Sequence, residues 1–535
     1  MTHVLTPDQD SAFAAVKAFF SDEENPAIII IGSAGTGKTY LTGKIADYII
    51  ERGISVGAIA PTHKAKRVLS KMLNTDRFLN IPSFTVASVL GKMREHSYIG
   101  SHKYTSGNTQ KMDKYDCFIL DEVSMVCDKD LDEILDYVCD HDKKLILVGD
   151  NCQIPAPSQA LTRDRGVCYK PDSTAFEIEN QHCLKTIVRQ ASDSPIIRIA
   201  SYLRDHLNEQ LELSDIFTGS CVDPGDLTIT HATLYLSFRD DWRSGKDSRI
   251  IAYTNSAVHN HNTQVRKILN ISHEPLVVRE LLTGYGNVGW PEPMIENGTD
   301  YIVKSLSDTV NYKISDYGGL VGKLTDLEDI DDKTLVSRGL FFVNVKHTAN
   351  RAFMQELTRR AEKVNQRFST KDDYRKYCSL KNRAIFLENV YKYRNTIAIE
   401  SDFKHSHPLL FTKVSDVIDV CGRTVFMSEL SKKLEDQYGD IATVRLNDNK
   451  PFADSETFAD QYTVVEKDIY YGYSLTAHKC QGSTYHCAYV DEHDFKKISS
   501  KWNHRLGLVE QRHKEQNQLK YVAYTRASEK LRLIV

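Results

Sequence analysis

The chain has 535 residues, 41% of them hydrophobic and 26% charged, and a net charge of −4. This is the composition of an ordinary globular protein, with length for about three or four domains. It excludes a membrane-spanning stretch, since no segment approaches about 18 consecutive apolar residues, and a globally basic surface, so any nucleic-acid site is a local groove.

The start, Met1 to Gln9, lacks the basic and apolar regions of a signal peptide. The eleven cysteines contain no C-x-x-C pair and no zinc spacing, which points to reduced thiols. Thr6 and Pro7 predict the N-cap and first position of a helix that continues through Phe13, Val16, Phe19 and Phe20. Gln9, just inside it, could pair with an adenine edge through its amide, although a solvent-facing glutamine is the better reading here.

Ala27 to Ile31 is apolar without alternation, the pattern of a parallel strand covered on both faces. Gly32-Ser33-Ala34-Gly35-Thr36-Gly37-Lys38-Thr39 then matches the phosphate-binding P-loop. Its glycines let backbone N–H groups turn toward phosphate oxygens, and the helix that follows adds its dipole. Lys38 would reach the β- and γ-phosphates, and the Thr39 hydroxyl would sit on Mg²⁺.

A helix from Leu41 to Glu51 ends at Gly53, and a strand from Ser55 to Ala60 runs into Pro61-Thr62-His63-Lys64. Ligands of open α/β sheets bind at the carboxyl ends of strands, and these polar groups suit a phosphate backbone. Thr85 and Ser88 lie on a second such loop. Gly91 to Lys114 shows little helical or strand period and reads as a small insertion.

Cys117 to Leu120 is an apolar strand ending in Asp121-Glu122. Asp121 can hold Mg²⁺ and Glu122 can deprotonate an attacking water. Lys144 to Gly149 is a further buried strand, and Gln153, beyond it, can touch a γ-phosphate or that water.

In this order, the P-loop, Ala60-Pro61-Thr62-His63, Asp121-Glu122-Val123-Ser124-Met125 and Gly149-Asp150-Asn151-Cys152-Gln153 resemble the superfamily 1 helicases. The Pro-Thr-His form resembles the 1B branch, with its RecD-like and Dda-like enzymes. The resemblance implies two RecA-like P-loop domains with parallel sheets and inserted accessory domains, one a small β-barrel. The expected layout is 1–90 and 115–165 for the first RecA-like domain and 91–114 for its insertion. Residues 166–269 and 464–535 would form the second domain and 270–463 its insertion.

Arg189 precedes a helix near Ser194 to Ala200; by itself it is an ordinary flanking charge, and only the resemblance makes it an arginine finger. Ser248 to Ala252 is a strand leading to Thr254-Asn255, a second strand-end loop. Val310 to Lys346 reads as short strands with glycine turns and an acidic loop, Asp326 to Asp332. Met354 to Cys378 reads as a helix, and Glu356 to Arg383 carries nine Lys/Arg against four Asp/Glu, which suits a solvated face better than a DNA contact.

Tyr471 to Thr484 resembles helicase motif V, with Thr476, His478, Lys479 and Ser483 suited to phosphate contacts and Gly482 to close backbone approach at the nucleotide. Thr484 departs from the glutamate common in the 3′→5′ branch. Tyr521 to Ser528 resembles motif VI, which makes Arg526 a second arginine on the γ-phosphate. Ala87 departs from the histidine usual in the family, which would weaken one DNA contact.

The resemblance implies an ATP- and Mg²⁺-dependent DNA helicase acting in replication, recombination or repair. It would be a monomer that moves 5′→3′ on single-stranded DNA, meets duplex junctions and works with single-strand-binding or replication proteins. The expected location is a bacterial or phage-infected cytoplasm. Tyr98 or Tyr104 in the 91–114 insertion could split the duplex as a pin, though that insertion equally reads as a surface loop. RNA as the track and a switch ATPase that gates a protein partner are the alternatives; the latter has no use for Pro61-Thr62-His63 or for Thr476 to Ser483.

Overall fold

The P-loop strand is fully buried from Ala27 through Gly32, as its β-branched run requires. In this computed structural model, Ile28 and Ile30 face one hydrophobic layer and Ile29 and Ile31 the other. The first layer is closed by Ala12 and Val16 of helix Pro7–Phe19, Leu41 and Ile45 of Lys38–Glu51, and Leu69 and Leu73 of His63–Asn74. The second is closed by Leu131, Ile134 and Val138 of Asp128–Asp140. Each isoleucine so buried contributes about 1.5–3 kcal/mol.

The structure describes residues 4–74, 80–95, 103–105, 111–156, 160–164, 167–188, 194–274, 276–285, 295–308, 310–315, 318–336, 340–344, 441–446, 462–465, 469–504 and 506–535. They form two compact units. The first comprises Met1–Met93, Thr105–Ile268 and Tyr473–Val535. The second comprises Arg94–Tyr104 and Leu269–Gly472.

The first unit holds two parallel sheets. One is six-stranded, in the spatial order Gln181–Leu184, Ala27–Gly32, Lys144–Gly149, Cys117–Leu120, Val56–Ala60 and Ser83–Thr85. All its ladders are parallel. The other is five-stranded, in the order Thr228–Ile229, Ala527–Ile534, Tyr485–Asp491, Ser248–Ala252 and Ser474–Thr476, again parallel throughout. A smaller sheet joins Thr162–Asp164 and Val167–Tyr169 to Leu508–Glu510 and Lys501–Asn503.

One boundary moves. Gln181–Leu184 pairs with the P-loop strand, so the first sheet runs past residue 165 into the stretch expected for the second domain. Only Leu184 of its four residues is buried, and Gln181 and Cys183 are exposed, so it lacks the continuous apolar run of an inner strand, as suits a sheet edge.

In the second unit the described strands form an antiparallel sheet, running from Tyr462–Val465 through Ile441–Leu446, Leu340–Asn344, Gly318–Asp329, Asp300–Leu306 and Leu281–Gly284 to Ile469–Tyr471. No ladder among the described residues joins its two outer strands into the expected barrel. Asp326 to Asp329 lies within the long strand Gly318–Asp329, so the expected acidic loop is shorter than its charges suggested. The segment expected to be irregular contains a two-stranded ribbon, Met93–Glu95 with Lys103–Thr105. Its strands are too short to show a period. The helix expected over Met354 to Cys378 and the basic run to Arg383 lie outside the described residues.

Candidate nucleotide site and nucleic-acid edge

Gly35 and Gly37 take φ of 86° and 77°, the left-handed region that the P-loop turn demands. Gly37 caps helix Lys38–Glu51 with no side-chain hydrogen bond, so the first N–H groups of the helix face the loop's hollow. A Cβ on Gly32 would meet Thr36 Oγ1 at 2.5 Å. Lys38 Nζ crosses the hollow and donates to the carbonyls of Gly32 (2.5 Å) and Ser33 (3.2 Å). This is an ammonium over a ring of amides, a fit for a polyphosphate.

Gln9 does not face solvent; it is 2% exposed. Its amide nitrogen donates to the Thr36 carbonyl at 2.8 Å, and its oxygen accepts from the Thr6 N–H at 3.0 Å. Asp8 accepts from the N–H groups of Lys185 and Thr186. Burial pushes the Asp8 carboxyl up, but these amides and the Thr6 hydroxyl outweigh it and hold the group well below the usual range.

At the end of strand Cys117–Leu120 the Asp121 carboxylate accepts from the Glu122 N–H at 2.9 Å. Burial and the neighbouring Glu122 raise Asp121 well above the ordinary carboxylate range, against the pull of that N–H and of Lys38. Glu122 takes φ of 52°, a strained position for a side-chain-bearing residue. Its Oε2 is buried with no hydrogen-bond partner among the described residues. Asp121 and Thr39 carry hard oxygen atoms of the kind that Mg²⁺ takes.

The next strand over ends in Gly149-Asp150. A Cβ on Gly149 would strike Val123 at 2.6 Å, so glycine lets the Asp121–Glu122 turn lie against this strand end. Gln153 is 5% exposed and its Oε1 is buried without a partner among the described residues. A missing partner for a buried acceptor marks a place for a ligand or water.

The second half of this unit closes on the same loops. From helix His513–Tyr524, Gln518 donates to the Gln153 carbonyl at 3.0 Å. Tyr521 accepts from the Ala34 N–H at 3.0 Å and donates to Asp150 at 2.9 Å. The cleft between them is lined by Ala34 and Gly35 on one side and by Ile197, Arg204, Tyr521 and Thr525 on the other. Arg526 is buried and tied to its own half, donating to the Val522 and Ser483 carbonyls and to Thr525 Oγ1. Arg189 lies outside the described residues.

Because every strand of the first sheet is parallel, the P-loop, Asp150, Asp121, Pro61 and the Thr85 loop all leave the same sheet edge, in that spatial order. The nucleotide residues occupy the central strands and the candidate DNA hydroxyls the outer pair. They are joined directly: the Asp121 N–H donates to the Ile59 carbonyl at 3.0 Å, two residues before Pro61. Within this outer group, Thr62 accepts from the Ala65 N–H and Thr85 from the Ser88 N–H, so both hydroxyls cap helices. His63 opens helix His63–Asn74, and Ser88 accepts from Lys111.

In the second sheet, Thr254-Asn255 follows strand Ser248–Ala252 and Thr476 ends the adjacent strand. Thr254 does not present a free hydroxyl: it donates to Asp494, which also accepts the N–H groups of Tyr253 and Thr254. His478 and Lys479 stand half-buried in the turn after Thr476. Burial lowers His478, with Glu515 opposing and Lys170 and Arg512 assisting. Ser483 parts from this group: it lies beside Arg526, at the amino end of strand Tyr485–Asp491, while Thr476 ends its own strand. Gly482 has φ of 73° and nothing within 4 Å of an added Cβ, so backbone conformation, not close packing within the protein, calls for glycine. Tyr98 lies outside the described residues, and Tyr104 is in strand Lys103–Thr105.

Sequence reasoning missed Gln518, Tyr521 and Arg204 as cleft residues. The first two were findable, since they sit three apart on one face of the helix that ends just before Arg526.

The fold and this site are those of a P-loop nucleotide-binding protein, with a glycine loop between a buried parallel strand and a helix. The AAA domain family matches residues 4–215. The chain is 28% identical over 286 residues to the ATP-dependent DNA helicase dda of Enterobacteria phage T4, covering 52% of this chain and 60% of that one. It is 22% identical over 547 residues to the uncharacterized protein R530 of Acanthamoeba polyphaga mimivirus, covering 97% of each. The Pif1 helicase structure from Candida albicans aligns with 100% of this chain and 94% of its own at 15% identity and a TM-score of 0.46. Among the described residues no helix is long and apolar enough to cross a membrane.

Proposed function

We propose that this protein is an ATP-dependent DNA helicase that moves 5′→3′ along single-stranded DNA and unwinds the duplex ahead of it, in replication, recombination or repair. One observation carries the reading. The P-loop, the Asp121-Glu122 pair and the Pro61-Thr62-His63 loop leave one edge of one parallel sheet, and the Asp121 N–H to Ile59 carbonyl bond joins the last two. A shift at the hydrolytic carboxylates therefore reaches the polar strand-end loop through a single ladder step.

In this reading the Lys38 ammonium and the amides after Gly37 bind the ATP phosphates. Thr39 and Asp121 hold Mg²⁺, which neutralises phosphate charge when bound. The free Glu122 Oε2 takes the proton of the attacking water. The unpartnered Gln153 Oε1 orients that water, and Arg526, with Arg189, stabilises the γ-phosphate. Gln9 braces the loop and keeps one amide hydrogen for adenine. Gly482 lets the chain turn beside Arg526. On the DNA, Pro61, Thr62, His63, Thr85, Ser88, Thr254, Asn255, Thr476, His478 and Lys479 line the strand-end loops, with Ser483 linking them to Arg526. Tyr104 or Tyr98 splits the junction. The dda match supports DNA as the track, and the resemblance of Pro61-Thr62-His63 to the 1B branch supports 5′→3′ as the direction. A monomer in the cytoplasm of a bacterium or phage-infected cell, serving single-strand-binding or replication proteins, completes the proposal.

The test is steady-state ATP hydrolysis alone, with single-stranded DNA and with single-stranded RNA, then unwinding of duplexes tailed at either end. Strong stimulation by DNA with unwinding from a 5′ tail is expected. An ATPase indifferent to both nucleic acids would overturn the helicase reading in favour of a switch that gates a protein partner.

A further inference from the structure

Helix His513–Tyr524 belongs to the second half of the first unit, yet one face of it is spent on the first half's loops. Tyr521 is 2% exposed and its hydroxyl makes two bonds there. It accepts from the Ala34 N–H, at the leading edge of the P-loop, at 3.0 Å and donates to Asp150 Oδ2 at 2.9 Å. Burial, followed by the Asp150 charge, holds the phenol well above its ordinary range, so it keeps its proton as a donor. The second carboxylate oxygen of Asp150 accepts from the Cys152 N–H at 3.0 Å, which shapes the turn that presents Gln153. From the other end of the same residue, the Tyr521 carbonyl accepts from Thr525 Oγ1 at 2.9 Å, and Thr525 Oγ1 accepts from Arg526 at 3.1 Å. One side chain and its own helical turn thus join the P-loop, the Gln153 turn and Arg526.

We propose that Tyr521 is a positioning residue for ATP turnover: its hydroxyl clamps the P-loop edge to Asp150 and so sets Gln153 and Arg526 in register across the cleft. The inference rests on the ATPase reading above and deepens it. The aromatic ring supplies packing and the hydroxyl supplies registration, which makes the two separable. Phenylalanine retains the first and removes the second, leaving the Ala34 N–H and the Asp150 oxygen without their shared partner.

The experiment is steady-state ATP hydrolysis by Tyr521→Phe, with thermal melting alongside. The expected result is a fall in kcat of about ten-fold or more with KM for ATP within about three-fold of the parent, the pattern of an interaction made in turnover and not in binding. Asp150→Asn, which perturbs the same bridge from its other end, is expected to do likewise. The double variant should then be no slower than the slower single one, because residues that act as a unit are not additive. A kcat for Tyr521→Phe within about two-fold of the parent overturns the inference, as does a change confined to KM. Should Tyr521→Phe not fold, Asp150→Asn decides by the same criteria. A parent protein that does not hydrolyse ATP overturns the ATPase reading and this inference with it. A parent that does, beside an unaltered variant, overturns this inference alone.

Discussion

The Gln9 side-chain amide donates to the Thr36 carbonyl at 2.8 Å, so a residue of the first helix braces the turn of the P-loop from outside. Both ends of that amide are engaged by the protein and the residue is buried. Gln9→Ala removes a buried hydrogen bond worth about 1 kcal/mol, and the loosened loop is expected to raise KM for ATP about five-fold. Steady-state kinetics checks it; an unaltered KM would show that the loop holds its shape alone.

Lys38 is the ammonium over the P-loop hollow, bonded to two carbonyls of the loop itself. Lys38→Ala should leave the fold intact and lower ATP hydrolysis by about 10²-fold or more, as loss of a preorganised charge does. Turnover and a melting curve, measured together, separate this from unfolding.

Burial and then the Glu122 charge raise Asp121, and the Oε2 of Glu122 is itself buried and unpaired among the described residues. Glu122→Gln keeps the shape and removes one of two crowded charges. ATP binding should persist, kcat should fall about 10²-fold or more, and the protein should melt no lower than the parent. Equilibrium nucleotide binding beside turnover makes the check.

His478 has its pKa lowered, chiefly by burial. The folded value lies below the unfolded one, so the unfolded chain takes up the proton more readily. This contribution to stability is intact above about pH 6.5 and is lost as the pH falls below it. His478→Gln should therefore flatten part of the fall in melting temperature between about pH 7 and 5. An identical pH profile would mean that His478 is solvated.

Gly482 sits at φ of 73° with open space around it. Gly482→Ala carries no clash, only the cost of a left-handed backbone, about 1–2 kcal/mol. Thermal melting should show that loss; a loss well beyond it would mean that the loop has another partner.

What was legible in the sequence is what local chemistry sets. The P-loop turn, the Thr6 cap and the strand that ends in Asp121-Glu122 each depend on residues within one turn or strand of one another, so residue type and spacing determine them. The parallel, two-faced burial of Ile28 to Ile31 was legible for the same reason, since a run without alternation must be covered on both sides. The edge strand Gln181–Leu184 was not, because a four-residue strand that buries only Leu184 has no hydrophobic pattern to show.

Only the tertiary structure decided which motifs meet. Strand order, not chain order, puts Gly149-Asp150 between the P-loop and Asp121, and puts Pro61 next to Asp121. It parts Ser483 from Thr476, seven residues away in one polar stretch, because the chain between them leaves the end of one parallel strand for the start of another. It commits Thr254, which by sequence offers a free hydroxyl, to a carboxylate 240 residues on. And it brings Tyr521 to Ala34, 487 residues away, by packing one helix against a loop. Such contacts follow from how layers bury their faces, and no local pattern records which face a distant element will cover.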